Sequence, residues 1–448
     1  MTPVDSMIEY ARRSNFETAI GYLKAHHSYY RKFIKDLDIN APTATAIKAF
    51  DVMSRSELSC QISSIRRYDK MTSHFQYTGG TSGKSPIRLG IFKPLLDQAE
   101  QVLTINKMDR DGKPIPLSLI LAGSTRGVAP RSFSEFGLMS LPLGSREGFE
   151  TAIEFLQNDF AHEGFEHRIS HLGLPLQALK KLTNIVREKD IPSTAFALTS
   201  ISSYAAHLSS AWKEKIEDTL GAPINDMYGF SEIPSARANF CNACKAYHFD
   251  TDVIVECINL DDGDDVSVGD IGQLVVSTLR PEFTDLPLMR YLPGDYAELT
   301  PYCELSGDIG FRFKGRIHQT AKILKNKTST PVLFPYDVLE VIDTLPWVNR
   351  LNLPRHTGVS ITEDDSYAKW RIREVELTET SSVLNLDVEI RFSPALFPDE
   401  ARDIRRRIYK GVLEYSPRLN KMIAADEIKL KVSTLYPNAL SPPDVFRC

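Results

Sequence analysis

The sequence predicts an α/β architecture: a large N-terminal domain followed by a smaller α+β domain. Three observations predict it. Apolar runs of strand length alternate with helical periodicity through the middle of the chain, the pattern of a mostly parallel sheet covered by helices. After Asp295 the character shifts to β-rich segments, one long helix and a last strand. The 448 residues also exceed what a single core supports, so two or three domains are expected.

The elements follow in order. Apolar residues at helical spacing predict helices over 7–27 and 29–36. Residues 40–45 have turn chemistry, and Ser54 precedes Glu57 at capping-box spacing, which predicts a helix start there. The middle region reads as a strand over 117–122, helices over 145–161 and 177–188, a short strand over 194–199 and a helix over 204–220. Strands over 253–258 and 272–277 follow. Residues 311–317 read as a strand, 325–330 as a polar stretch and 336–344 as a short helix. A β-rich stretch over 370–392, a helix over 398–415 and a strand over 427–433 complete a small domain of ordinary size. The boundary is placed at 316/317, giving domains 1–316 and 317–448, with a hinge in 316–325.

Composition narrows the function classes. Hydrophobic residues make up 42% and charged residues 25%, an ordinary globular balance. A net charge of -5 gives no general attraction to nucleic acid, so an anionic ligand needs a local cradle. No apolar run reaches the length of a membrane span, and the first residues lack the basic-then-apolar order of a signal peptide. A cytoplasmic location is therefore expected, and six cysteines in such a chain argue against a disulfide framework.

The most informative segment is Tyr77-Thr78-Gly79-Gly80-Thr81-Ser82-Gly83-Lys84-Ser85-Pro86. Three glycines in five residues let the backbone approach a ligand closely. The hydroxyls of Thr78, Thr81 and Ser82 and the Lys84 ammonium are donors suited to phosphate oxygens. The spacing is not that of a Walker loop, and no strand–turn–helix frame makes it a dinucleotide fingerprint. A mobile surface turn is the plain alternative for the segment alone.

The segment resembles the phosphate loop of the adenylate-forming superfamily, with Gly79 where a serine is usual. Three further motifs follow in that family's order. Tyr228-Gly229-Phe230-Ser231-Glu232 resembles the motif in which the Tyr lies against adenine, the hydroxyl faces the α-phosphate and the Glu holds Mg2+. A flat ring suits a flat base, and a carboxylate supplies the hard oxygen that Mg2+ prefers. Leu288-Met289-Arg290-Tyr291-Leu292-Pro293-Gly294-Asp295 resembles the motif whose Asp accepts from both ribose hydroxyls. Gly315-Arg316 resembles the pair that opens the hinge, its Arg reaching ribose or phosphate; His318 and Gln319 stand where an acidic residue is usual.

Residues 228–295 are similar to the phenylacetate–coenzyme A ligase branch, and the resemblance covers residues 10–345. It implies a mobile C-terminal domain, ATP-dependent activation of a small carboxylic acid to an acyl-adenylate, and transfer to coenzyme A. An amine, a carrier protein or a protein thiol as acceptor in specialised metabolism stays open. The expected ligands are ATP, Mg2+ and coenzyme A. A homodimer is the expected assembly, with neither nucleic acid nor membrane as partner.

Cys241-Asn242-Ala243-Cys244 is followed by His248, and Cys303 lies beyond the Asp295 motif. A Cys-x-x-Cys pair with further donors from elsewhere suits tetrahedral Zn2+. Members of the resembled branch carry cysteines at these two places around structural zinc. His248 supplies the fourth ligand or is an ordinary core histidine.

One family feature is missing. The resemblance implies a catalytic lysine near the C-terminus, yet no Lys follows Lys431. Lys429, Lys431 or Arg447 substitutes, another group stabilises the charge, or adenylation has been lost. The last option is the rival expectation, a non-catalytic nucleotide-binding homologue. Residues 123–126 and 199–207, with Arg126 and His207, are expected to line the acid pocket.

Overall fold

The computed structural model describes residues 3–70, 72–77, 87–108, 113–121, 137–141, 146–259, 263–325, 328–351, 367–376 and 382–440. The glycine-rich segment from Thr78 to Lys84, residues 123–126 and the tail with Arg447 lie outside them.

An 11-stranded sheet runs through the described N-terminal two-thirds. One half is parallel: Ile224–Gly229, Ser200–Tyr204, Phe165–Pro175, Ile115–Leu121 and Leu138–Leu141. The other half is antiparallel: Arg237–Cys241, Ala246–Phe249, Asp308–Arg316, Asp295–Cys303, Ile271–Thr278 and Val253–Ile258. The mostly parallel sheet expected from the alternation is thus corrected to a mixed one. The reason is local. Beyond Gly229 the pairs Arg237–Cys241/Ala246–Phe249 and Asp295–Cys303/Asp308–Arg316 are joined by four residues each, a connection so short that it fits only antiparallel neighbours.

The helices Arg146–Gln157, Leu176–Glu188 and Ser210–Leu220 cover the parallel half and share a core with its strands through Phe149, Leu172, Leu179, Ile201, Trp212 and Ile224. The N-terminal helices Pro3–His26, Ser28–Ile34 and Arg55–Ile65 pack on the antiparallel half, with Phe16, Leu23, Tyr30, Phe50 and Leu274 inside. The capping box forms as expected: Glu57 N–H donates to Ser54 Oγ at 3.2 Å, and Ser54 N–H to Glu57 Oε2 at 2.6 Å.

Two expectations around residue 200 fail together. Residues 194–199 are not a strand, since Ser193–Ala195 form a single 3-10 turn after Pro192. The strand is Ser200–Tyr204, and the helix expected over 204–220 begins only at Ser210. Serines at 200, 202 and 203 masked a strand whose residues 201 and 203 are buried. Ala205 takes φ +75°, a conformation that breaks the backbone between strand and helix. The long strand Phe165–Pro175 and the hairpin Ala321–Lys325/Thr328–Leu333 were not foreseen.

A third core is built entirely from residue 321 onward, by the helices Pro335–Ile342 and Pro398–Tyr415 and the sheet Trp370–Glu376, Ser382–Glu389 and Ile428–Leu435. No helix among the described residues is long and apolar enough to cross a membrane.

Asp343, just past the helix Pro335–Ile342, ties this last region to the parallel half. Its carboxylate is buried and meets Arg350 at 2.9 Å, Ser209 Oγ at 2.7 Å and Lys180 at 3.7 Å. Burial pushes its pKa up, but Lys180, Arg350 and Ser209 together pull it below the usual carboxylate value. A depressed folded pKa stabilises the fold above the unfolded value near 4, and that stabilisation is lost as pH falls through the folded value. Asp343→Asn leaves two buried cations without their carboxylate and is expected to cost about 3 kcal/mol in urea unfolding at pH 7. The gap from wild type should close as pH drops below about 4. A gap that stays constant to pH 2.5 would contradict the assignment.

Candidate functional site

The parallel half gives way to the antiparallel half at Gly229. Open α/β sheets bind ligands outside the carboxyl ends of their parallel strands. The sequence motifs gather at this place. Tyr228 ends the last parallel strand, while Asp295 starts one antiparallel strand and Arg316 ends the next. Asp295 and Arg316 are direct cross-strand partners.

The resulting cluster is tight. Tyr228 Oη donates to Asp295 Oδ2 at 2.5 Å, and Arg316 Nε lies 3.2 Å from Oδ1. Arg316 Nη1 donates to the Pro293 carbonyl at 2.8 Å. The Tyr228 ring stacks on Phe313, with centroids 3.6 Å apart and planes 18° from parallel. Asp295 is only 3% exposed. Burial raises its pKa, against the pull of Arg316 and of the Tyr228 hydroxyl. Burial likewise lowers the pKa of neighbouring His318, helped by Arg316.

Backbone geometry holds the motif in place. Gly315 has φ +114°, and a Cβ there would sit 2.2 Å from Pro335 Cγ, so this position requires glycine. Arg290, with φ +45°, is buried and held by Glu256 through Nε at 3.0 Å and Nη2 at 2.9 Å. Its Nη1 donates to the Phe50 carbonyl at 3.0 Å.

The segment before the helix Arg55–Ile65 is stitched to the same motif. Met53 N–H donates to the Arg290 carbonyl at 2.8 Å, and Leu292 N–H to the Met53 carbonyl at 2.9 Å. This places Arg55, which the sequence reading missed, beside Glu232: Arg55 Nη1 reaches Glu232 Oε1 at 2.6 Å. Each side chain is 14% exposed. Arg55 also hydrogen-bonds the buried Tyr291 hydroxyl. Ser231 is buried in the turn between Tyr228 and Glu232. No spacing rule could have joined Arg55 to Glu232, which lie 177 residues apart.

His207 is on no helix. Its Nε2 is 2.8 Å from Glu340 Oε1 and its ring stacks on Tyr336 at 4.2 Å. Nearby, Ser203 and Tyr247 both donate to the buried carboxylate of Asp226, whose pKa burial raises. His171, also missed, lies between Ser200 Oγ at 2.8 Å and Ser202 Oγ at 3.4 Å, and burial lowers its pKa. Lys429 and Lys431 are exposed on the strand Ile428–Leu435.

A second cluster joins two hairpin ends. Cys241, Cys244, His248 and Cys303 bring their ligand atoms within 4.8 Å of one another. Tetrahedral Zn2+ with bonds of about 2.0–2.3 Å needs donors somewhat under 4 Å apart. Cys244 Sγ and His248 Nε2 already lie 3.0 Å apart. Ser306 Oγ sits 2.9 Å from His248 Nδ1, as expected of a partner that orients a ligating imidazole. The amide of Ser306 and then its hydroxyl bring the Cys303 thiol down to about 7, whereas burial pushes Cys244 up to about 11. The residues present fit zinc. Beside them opens a cavity of about 640 Å³ lined by Arg12, Gln98, Asn239, Asp250 and Asp308, with none of the nucleotide-motif residues.

No protein-family model matches this chain, and no curated protein matches it. Solved structures do. An open conformation of 2-hydroxyisobutyryl-CoA ligase in complex with 2-HIB-AMP and CoA aligns with a TM-score of 0.62 at 14% identity, covering 97% of this chain and 89% of that one. The same ligase in its postadenylation state with 2-HIB-AMP gives 0.62 at 15%, covering 98% and 88%. Apo MatB from Rhodopseudomonas palustris gives 0.52 at 13%, covering 83% of this chain and 66% of that one. The chain therefore has the fold of these proteins.

The buried bond at the centre of the site can be tested without a ligand. Tyr228→Phe keeps the ring on Phe313 but leaves Asp295 Oδ2 without its donor. A loss of about 1.5–3 kcal/mol in chemical unfolding is expected. Unchanged stability would show that the hydroxyl does not serve the carboxylate.

Proposed function

We propose that this protein activates a small carboxylic acid with ATP, forming an acyl-adenylate and pyrophosphate, and passes the acyl group to coenzyme A. The convergence of Tyr228, Asp295 and Arg316, from three separate strands, carries the reading. It builds a nucleoside pocket: an aromatic wall, a buried carboxylate for the ribose hydroxyls and a cation toward the α-phosphate. Thr78, Gly79, Gly80, Thr81, Ser82, Gly83 and Lys84 are assigned to the triphosphate. Ser231 faces the α-phosphate, and Gly229 lets the backbone pass close to the base.

Glu232 fits Mg2+, since it offers a hard carboxylate oxygen at a partly exposed position beside the motif. Bound there, the ion would neutralise charge on the leaving phosphates. The chain's own residues do the rest. They hold the acid oxygen in line with the α-phosphorus; the new O–P bond forms as the bond to pyrophosphate breaks. Charge developing at the α-phosphate falls to Arg316, whose guanidinium stands beside Asp295. The thiol of coenzyme A, after losing its proton, then attacks the acyl carbon and AMP leaves.

Residues 1–316 and 317–448 act as two domains in this account, supported by a third core made only from residue 321 onward. Rotation at Gly315-Arg316 would open the site to the acceptor. Similarity in residues 228–295 favours the phenylacetate-ligase type of acid, and a carrier-protein or amine acceptor remains the second reading because the C-terminal end diverges. The rival from another class is a nucleotide binder without catalysis.

Pyrophosphate release, measured with ATP, Mg2+ and a panel of aryl, fatty and amino acids, separates these readings. Release with at least one acid is expected, falling at least about 100-fold in Asp295→Ala, whose loss removes the ribose contact. ATP binding without release for any acid would support the rival.

We further propose structural Zn2+ at Cys241, Cys244, His248 and Cys303. The junction it would brace is thin: Asp308–Arg316 meets Ala246–Phe249 through the pair Phe311 and Tyr247. Elemental analysis should find one zinc per chain, and chelation should lower the melting temperature. No stoichiometric metal, with these cysteines all titrating as free thiols, would rule it out.

A further inference from the structure

We infer that Arg55 is a positioning residue that presents Glu232 to the divalent cation. The inference rests on the nucleotide reading above and adds a residue that no motif contains.

The geometry points to this role in four ways. Arg55 grips the carboxylate by one oxygen: Nη1 bonds Oε1, and among the described residues Oε2 accepts no hydrogen bond. A carboxylate held by one oxygen keeps the other for a metal. The grip is also rigid. Arg55 is the first residue of its helix, directly after the N-cap Ser54 and within the Ser54/Glu57 capping box. Met53, two residues earlier, is bridged by backbone hydrogen bonds to both sides of Tyr291. The helix start thus belongs to the same frame as Asp295, four residues beyond Tyr291.

The third point concerns charge. Glu232, Asp295 and Arg316 share one neighbourhood, since both carboxylates act on Arg316. Without Arg55 the carboxylate of Glu232 still feels the charge of Arg316, which stands beside Asp295. Finally, the pair is not needed as a core staple. Both side chains keep 14% exposure, whereas the nearby pair of Arg290 and Glu256 is more deeply buried, at 8% and 6%. A partner that orients a ligating carboxylate is worth about 10- to 100-fold in metal affinity.

The test uses the intact chain and Mn2+ as the probe, its free concentration read by electron paramagnetic resonance with a non-hydrolysable ATP analogue present. Arg55→Ala should weaken Mn2+ binding about tenfold or more, and Arg55→Lys should fall between it and wild type. Adding Arg55→Ala to Glu232→Gln should weaken binding no further, because Arg55 acts through Glu232. Should Arg55→Ala not fold, Arg55→Gln carries the test, with a weakening of at least about fivefold. Binding within twofold of wild type in the folded variants, or additive losses in the double variant, overturns the inference while the nucleotide reading stands. A wild-type chain that takes up no Mn2+ with the analogue overturns both.

Discussion

A single buried carboxylate organises the site. Asp295 is nearly inaccessible to water, and an isolated charge there would be too costly to keep. It is stabilised because two strands that meet only in three dimensions bring a phenol and a guanidinium to it. The requirement runs outward. Arg316 must end its strand opposite Asp295, so the chain has to turn immediately afterward, and only a glycine at 315 lets it pass Pro335. Tyr228 must lie flat on Phe313 for its hydroxyl to arrive. The ordinary requirement to satisfy a buried charge thus leaves an aromatic wall, an acceptor and a cation side by side.

The mixed sheet explains why these groups lie together. Parallel strands end at Tyr204 and Gly229, and the first strand of the antiparallel half, Arg237–Cys241, pairs with the last residues of Ile224–Gly229. The strand ends at this switch bring Tyr228, Asp295 and Arg316 into contact. The N-terminal helices then close one flank through the Met53 bridge, and the region after residue 321 closes another through Asp343 and Glu340. The polar contacts made by that last region are few and specific, whereas its apolar core is its own.

Much of this was legible in the sequence where chemistry is contiguous. Tyr228, Glu232 and Asp295 stand in short motifs that residue type picks out, and the fold brings Tyr228 to Asp295; the capping box at Ser54 and the helix Pro398–Tyr415 could be read from spacing alone. Other features depended on tertiary neighbours. The strand Ser200–Tyr204 is built from serines that serve hydrogen bonds to His171, so its polarity hid its burial. The antiparallel half was mistaken for parallel because isolated apolar runs do not encode direction. Arg55 was invisible since its partner lies far along the chain, and His207 acquires a partner only from the helix Pro335–Ile342. Cys303 and His248 had been named beside the Cys-x-x-Cys pair, and the fold brings the ligand atoms of all four together.

The central claim is that the nucleotide occupies the cluster around Asp295. Hydrogen–deuterium exchange of the intact chain, with and without a non-hydrolysable ATP analogue and Mg2+, tests it most directly. The account predicts slowed exchange in three separate stretches together: 226–233, 290–296 and 312–317. Unchanged exchange in those stretches, or protection confined to the cavity lined by Arg12, Asn239, Asp250 and Asp308, would contradict it.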